Sequence, residues 1–244
     1  MARIARAVAP QRPHHITQRG NRRMPVFFSD EDYELYLELM SASCRRLGVE
    51  VWAYCLMPNH VHLIVKPRSE DGLRRAIGDA HRRYSRHVNF REDWRGHLFQ
   101  GRFASFVMDE RYLLAAARYV ELNPVRAGLV EKVWRWEWSS ARAHRRGKDD
   151  ALVRVKPLLD LAGDWEEFLS VPATQEERNA IRRHERSGRP LGGGDFLRQI
   201  EHALHRTLRP GKRGRRPKSR TAARENLIWC PRNKTGISQG VGRT

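Results

Sequence analysis

Hydrophobic and polar positions along the first half of the chain predict the element order β-α-β-β-α-β-α. Alternation of apolar and polar residues predicts strands at 14–20, 49–56, 59–66 and 99–108. Apolar residues at helical spacing predict helices from 29 or 30 to about 46, from 71 to about 88, and from 109 or 110 to 123, where Pro124 ends the helix. This order favours an α+β domain, ferredoxin-like or similar to RNA-recognition domains, whose antiparallel sheet has helices packed on one face.

The second half of the chain predicts a smaller, helical appendage. Trp134, Trp136 and Trp138 have the period of a strand, but we expect them to pack in the core. From about 173 onward, charged helical stretches at 176–185 and 195–208 are separated by a glycine-rich segment. From 209 the chain is basic and rich in glycine and proline, which predicts disorder. We therefore divide the chain into 1–150, 151–208 and 209–244.

The net charge of the chain indicates a polyanionic partner. The chain has 47 Lys and Arg against 28 Asp and Glu, a formal net charge of +19, and this excess points to DNA or RNA rather than to a solvated basic surface. Three unpaired cysteines predict reduced thiols. No segment has the apolar length of a membrane span, so we expect a soluble cytoplasmic protein, associated with the nucleoid and without a membrane partner.

Two histidines on one strand are the first candidate for chemistry. His60 and His62 flank Val61, so both imidazoles should lie on one face of the strand, where they could bind a divalent ion. Such a pair is equally often structural. We expect His14 and His15 to be core or DNA-facing residues rather than ligands.

A later helix supplies the second candidate. Tyr119 and Asn123 are four residues apart and should lie one above the other. Tyr119 could be a nucleophile or a half-buried aromatic, and Asn123 could be a metal ligand or the residue that ends the helix before Pro124. Glu121 should lie roughly 200° around the helix from Tyr119, away from any active face.

An ordered series of segments resembles the REP-associated tyrosine transposases, a branch of the IS200-like, single-tyrosine HUH transposases. The matching segments cover about residues 10–145 and are PHHITQRGNRR from 13, YCLMPNHVHLI from 54, LFQGRF from 98, RYVELNPVRAGLV from 118 and WSS from 138. The resemblance implies that His60 and His62 are the two histidines of the HUH metal site and that Tyr119 is the nucleophile. It places Asn123 where related enzymes have a polar third metal ligand, often Gln. Mg²⁺, or alternatively Mn²⁺, is the implied ion.

The same resemblance implies a function for each part of the chain. Residues 1–150 would be the catalytic domain, 151–208 a helical DNA-binding extension, and 209–244 a basic tail. The enzyme would nick single-stranded DNA beside a REP-type hairpin, leave a 5′-phosphotyrosine and a free 3′-OH, and rejoin strands, as in DNA transposition and recombination. A non-catalytic hairpin-binding regulator and an RNA-binding protein that uses the same sheet are the alternatives. We expect a monomer rather than a homodimer.

Basic residues from several elements are candidates to bind DNA phosphates. They are Arg19, Arg22, Arg23, Arg74, Arg82, Arg83, Arg102, Lys212, Arg213, Arg215 and Arg216. The last four fall in a basic stretch that is either a nonspecific electrostatic tether or a minor-groove arm.

Overall fold

A computed structural model describes residues 4–209, which all fall within one compact unit. The four strands are β1 (His14–Arg19), β2 (Val49–Met57), β3 (His60–Pro67) and β4 (Ala104–Val107). The helices are α1 (Asp30–Arg46), α2 (Gly72–Arg91), α3 (Glu110–Glu121), α4 (Asn123–Arg126), α5 (Ala141–Arg145), α6 (Lys156–Ala162), α7 (Trp165–Ser170), α8 (Gln175–Ser187) and α9 (Gly194–Ala203). The predicted β-α-β-β-α-β-α order is confirmed.

The four strands form one antiparallel sheet in the order β2-β3-β1-β4. A two-residue turn at Pro58 and Asn59 joins β2 to β3, so that Met57 pairs with His60. Strand β1 lies between β3 and β4, although β1 comes first in the chain. The predicted α+β class with an antiparallel sheet is therefore confirmed.

Helices pack on both faces of this sheet, so the prediction of helices on one face is wrong. On the first face, Ile16, Val61 and Leu63 bury against α1 and α2, which contribute Tyr36 and Ile77. The second core places sheet residues against α3 and against helices of the second half of the chain; it includes Cys55, Ile64, Phe106, Leu113, Val120, Trp165 and Ile181. The one-sided prediction fails because β2, β3 and β4 carry apolar residues on both faces.

Two predicted boundaries also need correction. The fourth strand begins at Ala104 rather than at Phe99, because Gly101 has a left-handed backbone (φ +67°) that interrupts extended pairing. Helix α3 ends at Glu121, and a second short helix, α4, follows it and contains Pro124. Pro124 lies in the first turn of α4, where its missing N–H is not needed. Asn123 therefore begins a helix rather than ending one.

The second half of the chain is a set of short helices, of which α6, α7 and α8 contribute to the second core. Trp134 and Trp136 pack against this core and Trp138 against the first, which confirms their predicted packing role. The described residues include no helix with the length and hydropathy to cross a membrane. Cys44 and Cys55 are free and buried. The division at residue 150 stays a prediction, and Lys212, Arg213, Arg215 and Arg216 of the basic tail lie outside the described residues.

Candidate active site

The sheet presents three histidines on the face that packs against α3. Residues paired directly across antiparallel strands share a face, and β1 pairs Thr17 with His62 and Arg19 with His60. His15, two residues before Thr17, lies on the same face, and its Nε2 is 3.1 Å from Nδ1 of His62. The rings of His60 and His62 are 4.9 Å apart between centroids. The structure therefore places His60 and His62 side by side, as predicted.

Neighbouring side chains orient the His60 ring. Its Nδ1 donates to Oδ1 of Asn59 at 2.6 Å, so Nε2 carries the lone pair of the neutral ring. That Nε2 accepts a hydrogen bond from Nδ2 of Asn123 at 3.3 Å. The Asn123 oxygen accepts from Arg126 at 2.7 Å, so it would have to exchange this partner for a metal ion in order to act as a ligand.

Helix α3 brings Tyr119 over the histidines. The helix begins where the Asp109 carboxylate accepts from the backbone N–H of Tyr112, a capping bond that fixes its register. One face of the helix buries Leu113 and Val120, and Tyr119 follows at the edge of that face with its ring centroid 5.6 Å from that of His62. Tyr119 is 7% exposed, so it is more deeply buried than the half-buried aromatic of the alternative reading.

Two arginines surround the Tyr119 hydroxyl and ring. The guanidinium of Arg126 lies 4.3 Å from the ring centroid, and Arg182 acts to lower the pKa of the hydroxyl. Burial and then the charge of Glu185 raise the pKa of Tyr119, whereas Arg182 and Arg126 act to lower it. A phenolate formed here would therefore have two cations beside it.

Tyr119 and the histidines open into a basic cleft of about 960 Å³. Its lining includes the predicted DNA-binding residues Arg19, Arg22, Arg23 and Arg102 together with Asn123. Arg74 and Arg82 line an adjacent cavity that shares Gln18 and Arg102 with the cleft. Arg83 is exposed on α2 and lines neither cavity. One continuous basic surface therefore collects most of the predicted phosphate contacts.

The imidazoles of the cleft are suited to bind a metal ion because they are neutral. Burial, with smaller effects of Arg19 and Arg126, lowers the pKa of His60 to about 3, and burial lowers that of His62 well below its ordinary value. Metal ligands must be deprotonated, and both nitrogen donors meet that condition at neutral pH. His60, His62 and the adjacent Asn123 thus fit a divalent ion in their chemistry.

Helix α8 contributes residues to the cleft that the sequence did not assign to it. Arg182, Glu185 and Arg186 line the cleft from α8, and Arg126 does so from α4. The sequence predicts a charged helix here, and a capping box between Thr174 and Glu177 defines its start. Nothing in the sequence indicates which face of α8 meets the sheet. For Arg126 there was a signal, since it lies three residues after Asn123 in the helical segment.

Two other expectations about the site hold. His14 is a satisfied core residue: its Nδ1 donates to the carbonyl of Arg12 at 2.8 Å and its Nε2 accepts from the N–H of Ala9 at 3.1 Å. Glu121 faces away from the cleft and binds Ser140 and Trp165 instead.

Comparison with known proteins finds a family model that matches the part of the chain that carries these residues. The family described as "Transposase IS200 like" matches residues 11–123, which include His60, His62, Tyr119 and Asn123. A Haemophilus influenzae protein, named provisionally as a REP-associated tyrosine transposase, is 28% identical over 109 residues, which are 40% of this chain and 62% of that protein. The chain thus aligns with about three fifths of the length of that relative.

A solved structure shares the fold. The structure of a REP-associated tyrosine transposase bound to a REP hairpin superposes with a TM-score of 0.52 at 20% identity, over 62% of this chain and 90% of that chain. At this identity the likeness establishes the fold.

Proposed function

We propose that the protein is a metal-dependent enzyme that nicks and rejoins single-stranded DNA beside REP-type hairpins. The match of residues 11–123 to the family described as "Transposase IS200 like" supports this proposal. The observation that carries the proposal is the position of Tyr119, whose ring lies 5.6 Å from that of His62 inside an arginine-lined cleft. The hairpin DNA bound by the structural relative supports the proposed substrate.

The proposed reaction is a single in-line displacement at phosphorus. The Tyr119 oxygen forms a bond to the phosphorus, the bond from phosphorus to the 3′ oxygen breaks, and that oxygen leaves as a free 3′-OH after taking a proton. The phenol proton passes to water in the cleft. The 5′ end stays attached as a phosphotyrosine, and attack by another 3′-OH reverses the step and joins strands.

The residues of the chain act by binding and orientation. Arg126 and Arg182 stabilise negative charge on the Tyr119 oxygen, and the arginines at 19, 22, 23 and 102 hold phosphates of the strand. His60 and His62, with Asn123 as a candidate third ligand, would hold Mg²⁺ or Mn²⁺. That ion would polarise the reacting phosphate.

A labelled-hairpin assay tests the proposal. Oligonucleotide hairpins with randomised single-stranded flanks carry a label at the 3′ end, which stays with the protein if a 5′-phosphotyrosine forms. Wild type with Mg²⁺ or Mn²⁺ should give a labelled adduct on a denaturing gel. Tyr119→Phe should give none while binding the hairpin with unchanged affinity.

Tyr112→Phe is the matched control, because Tyr112 lies on the same helix and does not line the cleft. This variant should form the adduct at the wild-type rate. An adduct that persists in Tyr119→Phe would refute the assignment of the nucleophile. Hairpin binding with no adduct from wild type would instead establish the regulator alternative.

A further inference from the structure

A second group of potential metal ligands lies beside the His60 ring, and it includes a residue from the appended helix α8. His15, His62 and Glu185 each offer one ligand atom, and these atoms all lie within 4.8 Å of one another. His15 is 1% and His62 3% exposed, so the two imidazoles are fixed inside the protein. The group draws on β1, β3 and α8, three elements that are far apart in the sequence.

The hydrogen bonding of this group is incomplete. Nδ1 of His15 and Oε1 of Glu185 are both buried and have no hydrogen-bond partner. They face one another at 3.8 Å, and the same carboxylate oxygen lies 3.8 Å from Nδ1 of His62. These separations are too long for hydrogen bonds, so Nδ1 of His15 and Oε1 of Glu185 are each left with an unused lone pair or proton although both atoms are buried.

The spacing fits atoms that share one ion. Two ligand atoms bound at about 2.1 Å to a tetrahedral or octahedral ion lie roughly 3.0–3.4 Å apart. The 3.1 Å between Nε2 of His15 and Nδ1 of His62 already meets that spacing. With Nε2 of His15 and Nδ1 of His62 as the two nitrogen ligands, Nδ1 of His15 is not a ligand. Oε1 of Glu185 lies 3.8 Å from Nδ1 of His62, so the carboxylate must move toward both nitrogens to bind the same ion.

We propose that His15, His62 and Glu185 form a second divalent-cation site, which takes a transition ion such as Zn²⁺ and ties α8 to the sheet. Two imidazoles and one carboxylate favour Zn²⁺ over Mg²⁺, which prefers oxygen ligands. This assigns His15 a ligand role that the sequence did not favour. A neutral imidazole offers one lone pair, so His62 serves either this site or the one with His60, and a single ion binds at a time.

Zinc titration of a variant that lacks the other site tests the proposal directly. His60→Ala removes the predicted catalytic ion site and leaves the three ligands intact. Calorimetric titration of this variant with Zn²⁺ should give one ion bound with the wild-type affinity. Adding Glu185→Gln keeps the shape of the side chain and should weaken Zn²⁺ binding by about tenfold or more. Removing a residue that only supports a metal ligand already weakens binding by about that factor.

A matched control and a second readout separate the ligand role from a folding defect. Glu176→Gln changes an exposed carboxylate on the same helix and should leave the Zn²⁺ affinity unchanged. Zn²⁺ at about 100 times its dissociation constant should stabilise the His60→Ala protein by about 2.7 kcal/mol in thermal unfolding. That stabilisation should be lost in the Glu185→Gln background, whose unfolding without metal should stay cooperative.

Three results would overturn the proposal: no Zn²⁺ binding by wild type, loss of binding in His60→Ala, or an affinity that Glu185→Gln does not change. The assay contains no DNA and no Mg²⁺. The cation site and the strand-nicking function can therefore fail independently of one another.

Discussion

The buried carboxylate of Glu121 should be a principal source of stability, and Glu121→Gln tests this with little change in shape. Glu121 is fully buried and joins three side chains from the second half of the chain. Its Oε1 accepts from Ser140 at 2.6 Å and lies 2.7 Å from Nδ1 of His144, while Oε2 accepts from Trp165 at 2.7 Å. All of its partners donate hydrogen bonds, so an amide cannot replace the carboxylate without placing one donor against another.

The expected loss follows from that mismatch. A hydrogen bond to a buried charged group contributes about 1.5–3 kcal/mol, and a buried donor left without an acceptor costs about 1–3 kcal/mol. Glu121→Gln keeps one oxygen and loses the other, so we expect a decrease of about 2–4 kcal/mol in the free energy of unfolding. For a chain of this length, that decrease corresponds to roughly 4–16 °C in Tm.

Urea and thermal unfolding followed by circular dichroism measure this loss. Glu38→Gln, at an exposed position on α1, is the control and should change stability by less than about 0.5 kcal/mol. Trp165→Phe removes one donor, so it should cost less in the Glu121→Gln background than in wild type. A loss below 1 kcal/mol for Glu121→Gln, or strictly additive effects of the two changes, would refute the reasoning.

Three further outcomes test the first loop, a buried histidine and the basic cleft. Gly20→Ala should destabilise the protein by about 1–3 kcal/mol in urea, because its Cβ would lie 2.2 Å from a backbone carbonyl oxygen. A Cβ added at Gly78, on α2, would have no atom within 4 Å, so Gly78→Ala should stabilise the protein by about 0.5–1 kcal/mol. Equal changes in the free energy of unfolding for Gly20→Ala and Gly78→Ala would contradict both expectations. Burial lowers the pKa of His81 from 6.5 to about 3, so the unfolded chain binds the extra proton, and stability should fall by about 1.4 kcal/mol per unit as pH drops from 6.5. His81→Asn should lower this slope of the unfolding free energy by the His81 share, about 1.4 kcal/mol per pH unit, because other buried histidines contribute the rest; an unchanged slope would show that His81 does not contribute. Arg23→Ala should lower the slope of log K against log salt for single-stranded DNA by about 0.7, whereas Arg154→Ala, which lines another cavity, should not; equal slopes would remove Arg23 from the DNA surface.

The fold was largely predictable because its signals are local. Alternation along β2 and β3, the helical spacing of Tyr33, Tyr36 and Met40, and the turn at Pro58 each act within a few residues. The covering of the second sheet face was not predictable, because it depends in part on the packing of α8 against β1, which lies more than a hundred residues earlier in the chain. Local patterns show that a strand has two apolar faces but do not show which helix buries each one.

The candidate site was likewise predictable only in part. His60 and His62 share a face because of strand geometry alone, and their closeness to Tyr119 follows from the family resemblance together with the packing of α3. The positions of Arg182 and Glu185 depend on how α8 docks, which no residue spacing encodes. The engagement of the Asn123 oxygen by Arg126 likewise depends on the turn between α3 and α4.

The docking of α8 has a consequence for the order in which the cleft is completed during protein synthesis. The tyrosine helix leaves the ribosome about sixty residues before Glu185 does, an interval of roughly 3–12 s at ordinary elongation rates, and the histidine strand leaves earlier still. Over that interval the nascent chain holds Tyr119 without the α8 guanidinium that acts to lower its pKa. Assembly of the reactive centre is thus timed by translation, and the tyrosine acquires its full electrostatic surroundings only after Arg182 and Glu185 have been added to the chain.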